Sequence, residues 1–156
     1  MSTRDTPGVI APPPLIFLGF LLAGWGLGEL VNPPGLGLEP TFRRGLAFAL
    51  VIGGLVTEWA AVAGLRRLGT PAEPWKPTTA LATGGLYGLS RNPIYLGFTL
   101  IYLGFSTAMD SPIALALILP CLIVIDQLVI VREEVYLARK FGPAWTEYAQ
   151  KVRRWL

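Results

Sequence analysis

The sequence predicts an all-α polytopic membrane protein with four transmembrane helices and a C-terminal interfacial helix. Three observations carry this reading. Of 156 residues, 53% are hydrophobic and only 15% charged, whereas about a quarter are charged in soluble domains. The apolar residues gather in four runs, Pro14 to Val31, Phe42 to Leu65, Ile94 to Met109 and Pro112 to Val131, each close to the roughly 17–25 residues that cross a hydrocarbon core of about 30 Å. Basic and polar residues collect between and after these runs. A single membrane-embedded domain over residues 1–156 is expected.

Residues 1–13, with Thr6-Pro7-Gly8 and Pro12-Pro13, read as an irregular lead-in, and Pro14 suits the first turn of a helix. The first run is long for a signal-peptide core, lacks a clearly basic n-region and has no small-x-small cleavage site after it, so it is expected to be a permanent helix. Asn32-Pro33-Pro34-Gly35 ends it. Gly24 with Gly28, Ala49 with Gly53 and Ala60 with Gly64 repeat a small-xxx-small spacing that lets helix backbones approach. Spans one and two are therefore expected to pack together. Residues 69–76 form a Pro-rich loop carrying Trp75 as an interface anchor. The third run is a little short and ends at Asp110-Ser111-Pro112, with Ser111 suited to an N-cap and Pro112 to the first helical position. Spans three and four then form an antiparallel hairpin rising about 24 and about 30 Å. Arg91 to Tyr95 and Arg132 to Glu134 return to one rim. The tail from Glu133 has helical spacing, with Tyr136 and Lys140, then Leu137 and Phe141, at i, i+4, and breaks at Gly142-Pro143. It is expected to lie on the membrane surface and close over the rim.

Orientation follows from Lys and Arg near the span ends. Arg66, Arg67, Lys76 and Arg91 lie between spans two and three, and Arg132, Arg139, Lys140, Lys151, Arg153 and Arg154 lie in the tail. Both groups, with both termini, are expected in the cytoplasm, whereas Arg43 and Arg44 oppose that assignment. The net charge of +3, placed beside the spans, fits a membrane surface rather than nucleic acid. Cys121 is the only cysteine, which excludes an internal disulfide and a cysteine metal cluster. Its place in an apolar span makes it packing.

The rim carries the candidate chemistry. Arg91-Asn92-Pro93 has an economical structural reading, in which Asn92 caps span three, Pro93 fills its first turn and Arg91 snorkels to the headgroups. Functionally, a fixed guanidinium beside a helix N-terminus and the glycines Gly84, Gly85 and Gly88 makes a carboxylate site. Glu133 and Glu134 read either as a solvated face or as acceptors for hydroxyl and ammonium groups. Asp126, inside span four, costs up to roughly 2.5–3.5 kcal/mol at mid-membrane and calls for a partner or a cavity. Gln127, Thr57 and Glu58 are its expected neighbours, and Pro120 loosens the same helix.

Residues 83–152 resemble the isoprenylcysteine carboxyl methyltransferase and phospholipid methyltransferase superfamily. Tyr87, Arg91, Pro93, Tyr95 and Gly97 match the first half of its pattern, and Glu133, Glu134, Leu137, Phe141, Gly142 and Tyr148 match the second. Asn92 stands in place of the family's histidine, Leu86 in place of a frequent proline, Trp145 in place of a tyrosine, and Arg153 in place of a proline. The resemblance implies S-adenosylmethionine as cofactor, held by Gly84, Gly85, Tyr87, Arg91, Asn92, Pro93, Tyr95, Gly97, Glu133, Glu134, Leu137, Phe141 and Tyr148. Arg91 and Glu134 are the expected catalytic pair, and Asp126 and Glu58 the expected contacts to a lipophilic acceptor from the bilayer. The acceptor is a carboxylate, thiol or amine, with no metal. The chain has no histidine, so any proton leaving the acceptor goes to a carboxylate, a tyrosine or water. Two other readings stand beside this one: an NADPH-dependent membrane reductase of sterol-reductase-like fold, and a non-catalytic membrane scaffold. A transporter is disfavoured by the lack of inverted repeats.

Overall fold

A proline opens every long helix. In the computed structural model, which describes residues 6–156, α1 (Pro13–Val31), α2 (Pro40–Arg67), α3 (Pro93–Ala108), α4 (Pro112–Phe141) and α5 (Pro143–Lys151) each place Pro in the first turn. There its fixed φ suits the helix and its missing N–H is no loss. Residues 1–5 of the expected lead-in lie outside the described part. The described chain is helix, turn and loop without a strand. Ser111 caps α4 as expected, its Oγ accepting the Ala114 N–H at 3.2 Å.

Three helices, α1, α2 and α4, are long and apolar enough to cross a membrane. Large side chains along α1 and α2, among them Leu22, Trp25, Phe48 and Trp59, stand exposed, an apolar surface that suits lipid. The fourth expected span, α3, has 16 residues and falls just below the usual length.

A second difference lies in α4. The tail helix expected to start afresh near Glu133 is instead the direct continuation of span four, giving 30 residues and about 45 Å of helix. Nothing between Val131 and Gly142 breaks a backbone; only the side chains change from apolar to charged. The apolar part, Pro112 to Val131, is long enough to cross a hydrocarbon core; the part from Arg132 onward carries the charged residues Glu133, Glu134, Arg139 and Lys140. Along α4 the hydrogen-bond ladder lapses at Leu117, since Pro120 offers no N–H to the Ala116 carbonyl. It widens to a π-turn over Asp126–Ile130. At Gly142, φ is 53° and ψ is −125°, a conformation favouring glycine, and there the chain turns into α5.

Small residues place the helices, though not those that the spacing singled out. Ala47, Gly54 and Ala61 are the buried residues of α2, seven apart along one stripe. Gly54 faces Gly97 of α3 and Ala47 faces Gly104, also seven apart. A Cβ on Gly54 would lie 2.6 Å from the Gly97 carbonyl, and one on Gly104 2.9 Å from the Ala47 carbonyl. Gly53 and Gly64 face open space. Gly24 packs against the backbone of Ala114 and Gly28 against Ser111 Oγ, so α1 rests on α4, α3 being its other neighbour. The expected pairing of spans one and two is thus replaced by α2 on α3 and α1 on α4, and α3 packs most extensively on α2.

Phe17, Tyr102, Ile118, Cys121, Ile125 and Val129 form the core between α1, α3 and α4. Tyr102 donates to the Ala114 carbonyl at 2.7 Å. At the end away from the rim, Asp110 accepts the Leu36 N–H at 2.9 Å and pairs with Arg43 at 3.3 Å.

Gly54→Ala is expected to lower the melting temperature in detergent, because the new methyl meets backbone on α3; overpacking of this kind costs about 1–3 kcal/mol. Gly53→Ala, one residue away and facing open space, is expected to be neutral or slightly stabilising. Thermal scans of the two variants side by side check the register.

Candidate functional site

Helix length delivers the candidate residues to one place. The start of α3, the charged part of α4 and the loop 69–82 enclose a cavity of about 790 Å³, open mouth included, beneath Trp145 and Tyr148 of α5. The loop is held as a wall: Thr70 Oγ1 accepts the Thr79 N–H at 2.8 Å, and Tyr136 Oη accepts the Thr78 N–H at 3.1 Å. Pro7 of the lead-in also reaches the cavity.

Arg91 is 15% exposed and does not reach for headgroups. Its Nη2 pairs with Glu134 Oε1 at 3.3 Å, and its guanidinium lies over the Trp145 ring at 5.7 Å, a cation–π arrangement. Its Nε is buried without a hydrogen-bond partner. An orphaned donor of a buried guanidinium is costly unless a ligand fills the place. Asn92 occupies the N-cap position of α3, yet its side chain makes no capping bond; Nδ2 instead donates to the Arg154 carbonyl at 2.9 Å. The capping reading of Asn92 is corrected accordingly.

The two glutamates differ in role. Glu133 turns its carboxyl inward and accepts from Tyr95 Oη at 2.8 Å. Burial pushes its pKa up to about 7, the tyrosine bond opposes that rise, and the neighbouring Glu134 charge adds to it. Glu134 accepts from Arg154 Nε at 3.1 Å and Nη2 at 2.5 Å, as well as pairing with Arg91. Its charge is committed to two arginines. Tyr148 donates to the Tyr87 carbonyl at 2.7 Å. Burial pushes the Tyr148 phenol up to about 12 against the opposing Arg91 charge, and raises Tyr87 too. The chain has no histidine, and Glu133 is a cavity carboxyl that ionises near neutrality.

Of the residues singled out from sequence, Tyr87, Arg91, Asn92, Pro93, Tyr95, Glu133, Glu134, Leu137 and Tyr148 line this cavity. Gly84 and Gly85 stand exposed beside it, Gly97 is inside the α2–α3 seam, and Phe141 ends α4 without lining the cavity. Asp126 is bound to Arg154, both of its oxygens 3.0 Å from Nη1. Glu58 lies in a neighbouring apolar groove with Val62, Ile94 and Phe98. Sequence reading missed Arg154, Tyr136 and the loop wall. The lone acid in an apolar span was the signal for Arg154, since a buried carboxylate needs a cation.

The sign of the Glu133 shift has a consequence for stability. An unfolded carboxyl ionises near 4.5 and the folded one near 7, so this group's contribution to stability falls as pH rises from about 4.5 to about 7 and is level above that. Tyr95→Phe removes the bond that favours the carboxylate, and is expected to shift the ionisation midpoint above that of the wild type. The carboxyl band in pH-resolved infrared difference spectra, assigned with Glu133→Gln, checks this; an unmoved midpoint would break the Tyr95–Glu133 pairing.

Residues 42–144 match the family model described as phospholipid methyltransferase. The match reaches back through α2, well ahead of the motifs, and stops at the start of α5. Among curated proteins, an uncharacterized protein of Haemophilus influenzae is 41% identical over 63 residues, covering 40% of this chain and 100% of that relative.

Proposed function

Because the chain belongs to the phospholipid methyltransferase family, we propose that it transfers a methyl group from S-adenosylmethionine to a lipophilic, membrane-held acceptor. The observation that carries this reading is the cavity itself. On one side a buried guanidinium offers an unpaired donor, on the other a buried carboxylate faces in, and the two stand where the bilayer-crossing helices end.

Arg91 suits the carboxylate of the cofactor or of the acceptor, through a charge-assisted bond from the donor that the protein leaves unmatched. Glu133 suits the ribose hydroxyls and balances a cation once ionised. Asn92, Pro93, Tyr95 and Leu137 shape the wall between them. The cofactor supplies a methyl on a sulfonium, moved by in-line displacement. The chain's share is alignment at near-attack distance and exclusion of water by the loop wall and α5. A carboxylate acceptor needs no proton removed; for a thiol or amine, Glu133 takes the proton, since its ionisation lies near neutrality and the tyrosines' lies far above.

In this reading α3 makes the fourth crossing, sheltered on α2 and therefore tolerant of a shorter apolar length. The rim, with its ten Lys and Arg residues in the central loop and tail, faces the cytoplasm. Arg43, which pairs with Asp110 at 3.3 Å, and Arg44 are outnumbered by these ten.

Incubation with lipid extract and isotopically labelled S-adenosylmethionine is expected to yield a labelled lipophilic product. No transfer to any extract fraction by folded protein would overturn the reading. Arg91→Lys replaces a planar fork with a point charge and is expected to lower kcat at least tenfold, about 1.4 kcal/mol, with the melting temperature little changed. Wild-type kinetics in that variant would remove Arg91 from the site.

A further inference from the structure

Arg154, two residues beyond the stretch 83–152 that carries the resemblance and outside the residues of the family match, makes more polar contacts at the rim than any residue described above. Its side chain spans two acids on α4. Nη1 meets both Asp126 oxygens at 3.0 Å, while Nε and Nη2 meet the two Glu134 oxygens at 3.1 and 2.5 Å. Its backbone binds the opposite wall. The Arg154 carbonyl accepts from Ser90 Oγ at 3.2 Å and Asn92 Nδ2 at 2.9 Å, and the Arg153 carbonyl accepts the Arg91 N–H at 2.9 Å. One tail segment thus joins the Ser90–Asn92 turn to the helix that carries the glutamates.

The charges explain why this matters for the cavity. Asp126, Glu134, Arg91 and Arg154 form an array of two anions and two cations. Glu134 takes a two-point bond from Arg154 and only a looser, single 3.3 Å contact from Arg91. With Arg154 gone, Glu134 would be the nearest anion for the whole Arg91 fork, and the fork would close on it. With Arg154 present, that closure is pre-empted and Arg91 keeps its unmatched Nε.

We propose that Arg154 is a positioning residue: its bridge from Asp126 to Glu134, together with its carbonyl bonds to the Ser90–Asn92 turn, holds Arg91 available to the ligand. The part of this concerning turnover rests on the methyltransferase reading; the tether itself does not.

The test uses Arg154→Gln in the full chain. Amide hydrogen exchange of residues 87–95 is expected to rise at least tenfold while residues 97–104, in the α2–α3 seam, stay as in the wild type. With the acceptor identified by label transfer, kcat is expected to fall about tenfold and the acceptor KM to stay within twofold. In an Arg91→Lys background the same substitution is expected to lower kcat less than twofold, because its effect passes through Arg91. A purely structural tail would instead give additive losses, and additivity overturns the proposal. Unchanged exchange at 87–95 also overturns it, and does so even if the wild type transfers no methyl group, a result that would refute the methyltransferase reading separately. Should Arg154→Gln fail to fold, Asp126→Asn carries the test: it removes one anchor of Arg154 and is expected to raise exchange at 87–95 about threefold, with no change counting against the tether.

Discussion

The close contact between α2 and α3 is the constraint on which the site depends. In lipid no hydrophobic force drives apolar helices together, so van der Waals packing between backbones decides the pairing. Gly54 against Gly97, and Gly104 against Ala47, bring two backbones within touching distance. That contact fixes the height of Pro93 and Tyr95 at the rim. A side chain at any of these glycines would move α3, and with it the turn that presents Arg91. Gly97, a motif residue, serves this purpose; its influence on the cavity is exerted through helix position.

A second constraint is electrostatic. Charged groups near an apolar medium must be paired, and pairing them leaves fewer free to act. The rim resolves this by dividing labour between two adjacent acids. Glu134, held by Arg154 and Arg91, keeps the arginines in place. Glu133, bonded to a tyrosine hydroxyl, retains a proton affinity close to neutral pH. Asn92 fits the same scheme. Its amide N–H reaches the Arg154 carbonyl from the position where the superfamily pattern has histidine, so the tail docks without one.

Much of this was legible in the sequence. Proline at the starts of α3 and α4, four apolar runs and the return of two motifs to one rim follow from backbone chemistry and helix rise alone, and a helix occupies each run, with α1 opening at Pro13 rather than Pro14 and α2 at Pro40 rather than Phe42. Which small residues form the seam was not legible. Gly53 and Gly54 are adjacent and equally small, and only the heptad phase with Gly97 and Gly104 on a helix about forty residues later separates them. The continuity of α4 past Val131 was misread because a change in polarity looks like a boundary, whereas a helix ends only where its backbone is interrupted, here at Gly142. The Arg154 bridge depends on a loop return over 20 residues or more to Glu134 and Asp126, a contact that no local pattern encodes. Asp126 announced that a cation was required without saying which of the six tail cations would supply it.

The central claim is that a methyl donor sits between the Arg91 turn and the Glu133 helix. Ultraviolet cross-linking of labelled S-adenosylmethionine to the folded protein, followed by peptide mapping, tests it most directly. The label is expected within residues 87–95 and 133–148, competed away by the demethylated product. Absence of competable label, or label confined to α1 and the outer face of α2, would contradict the account.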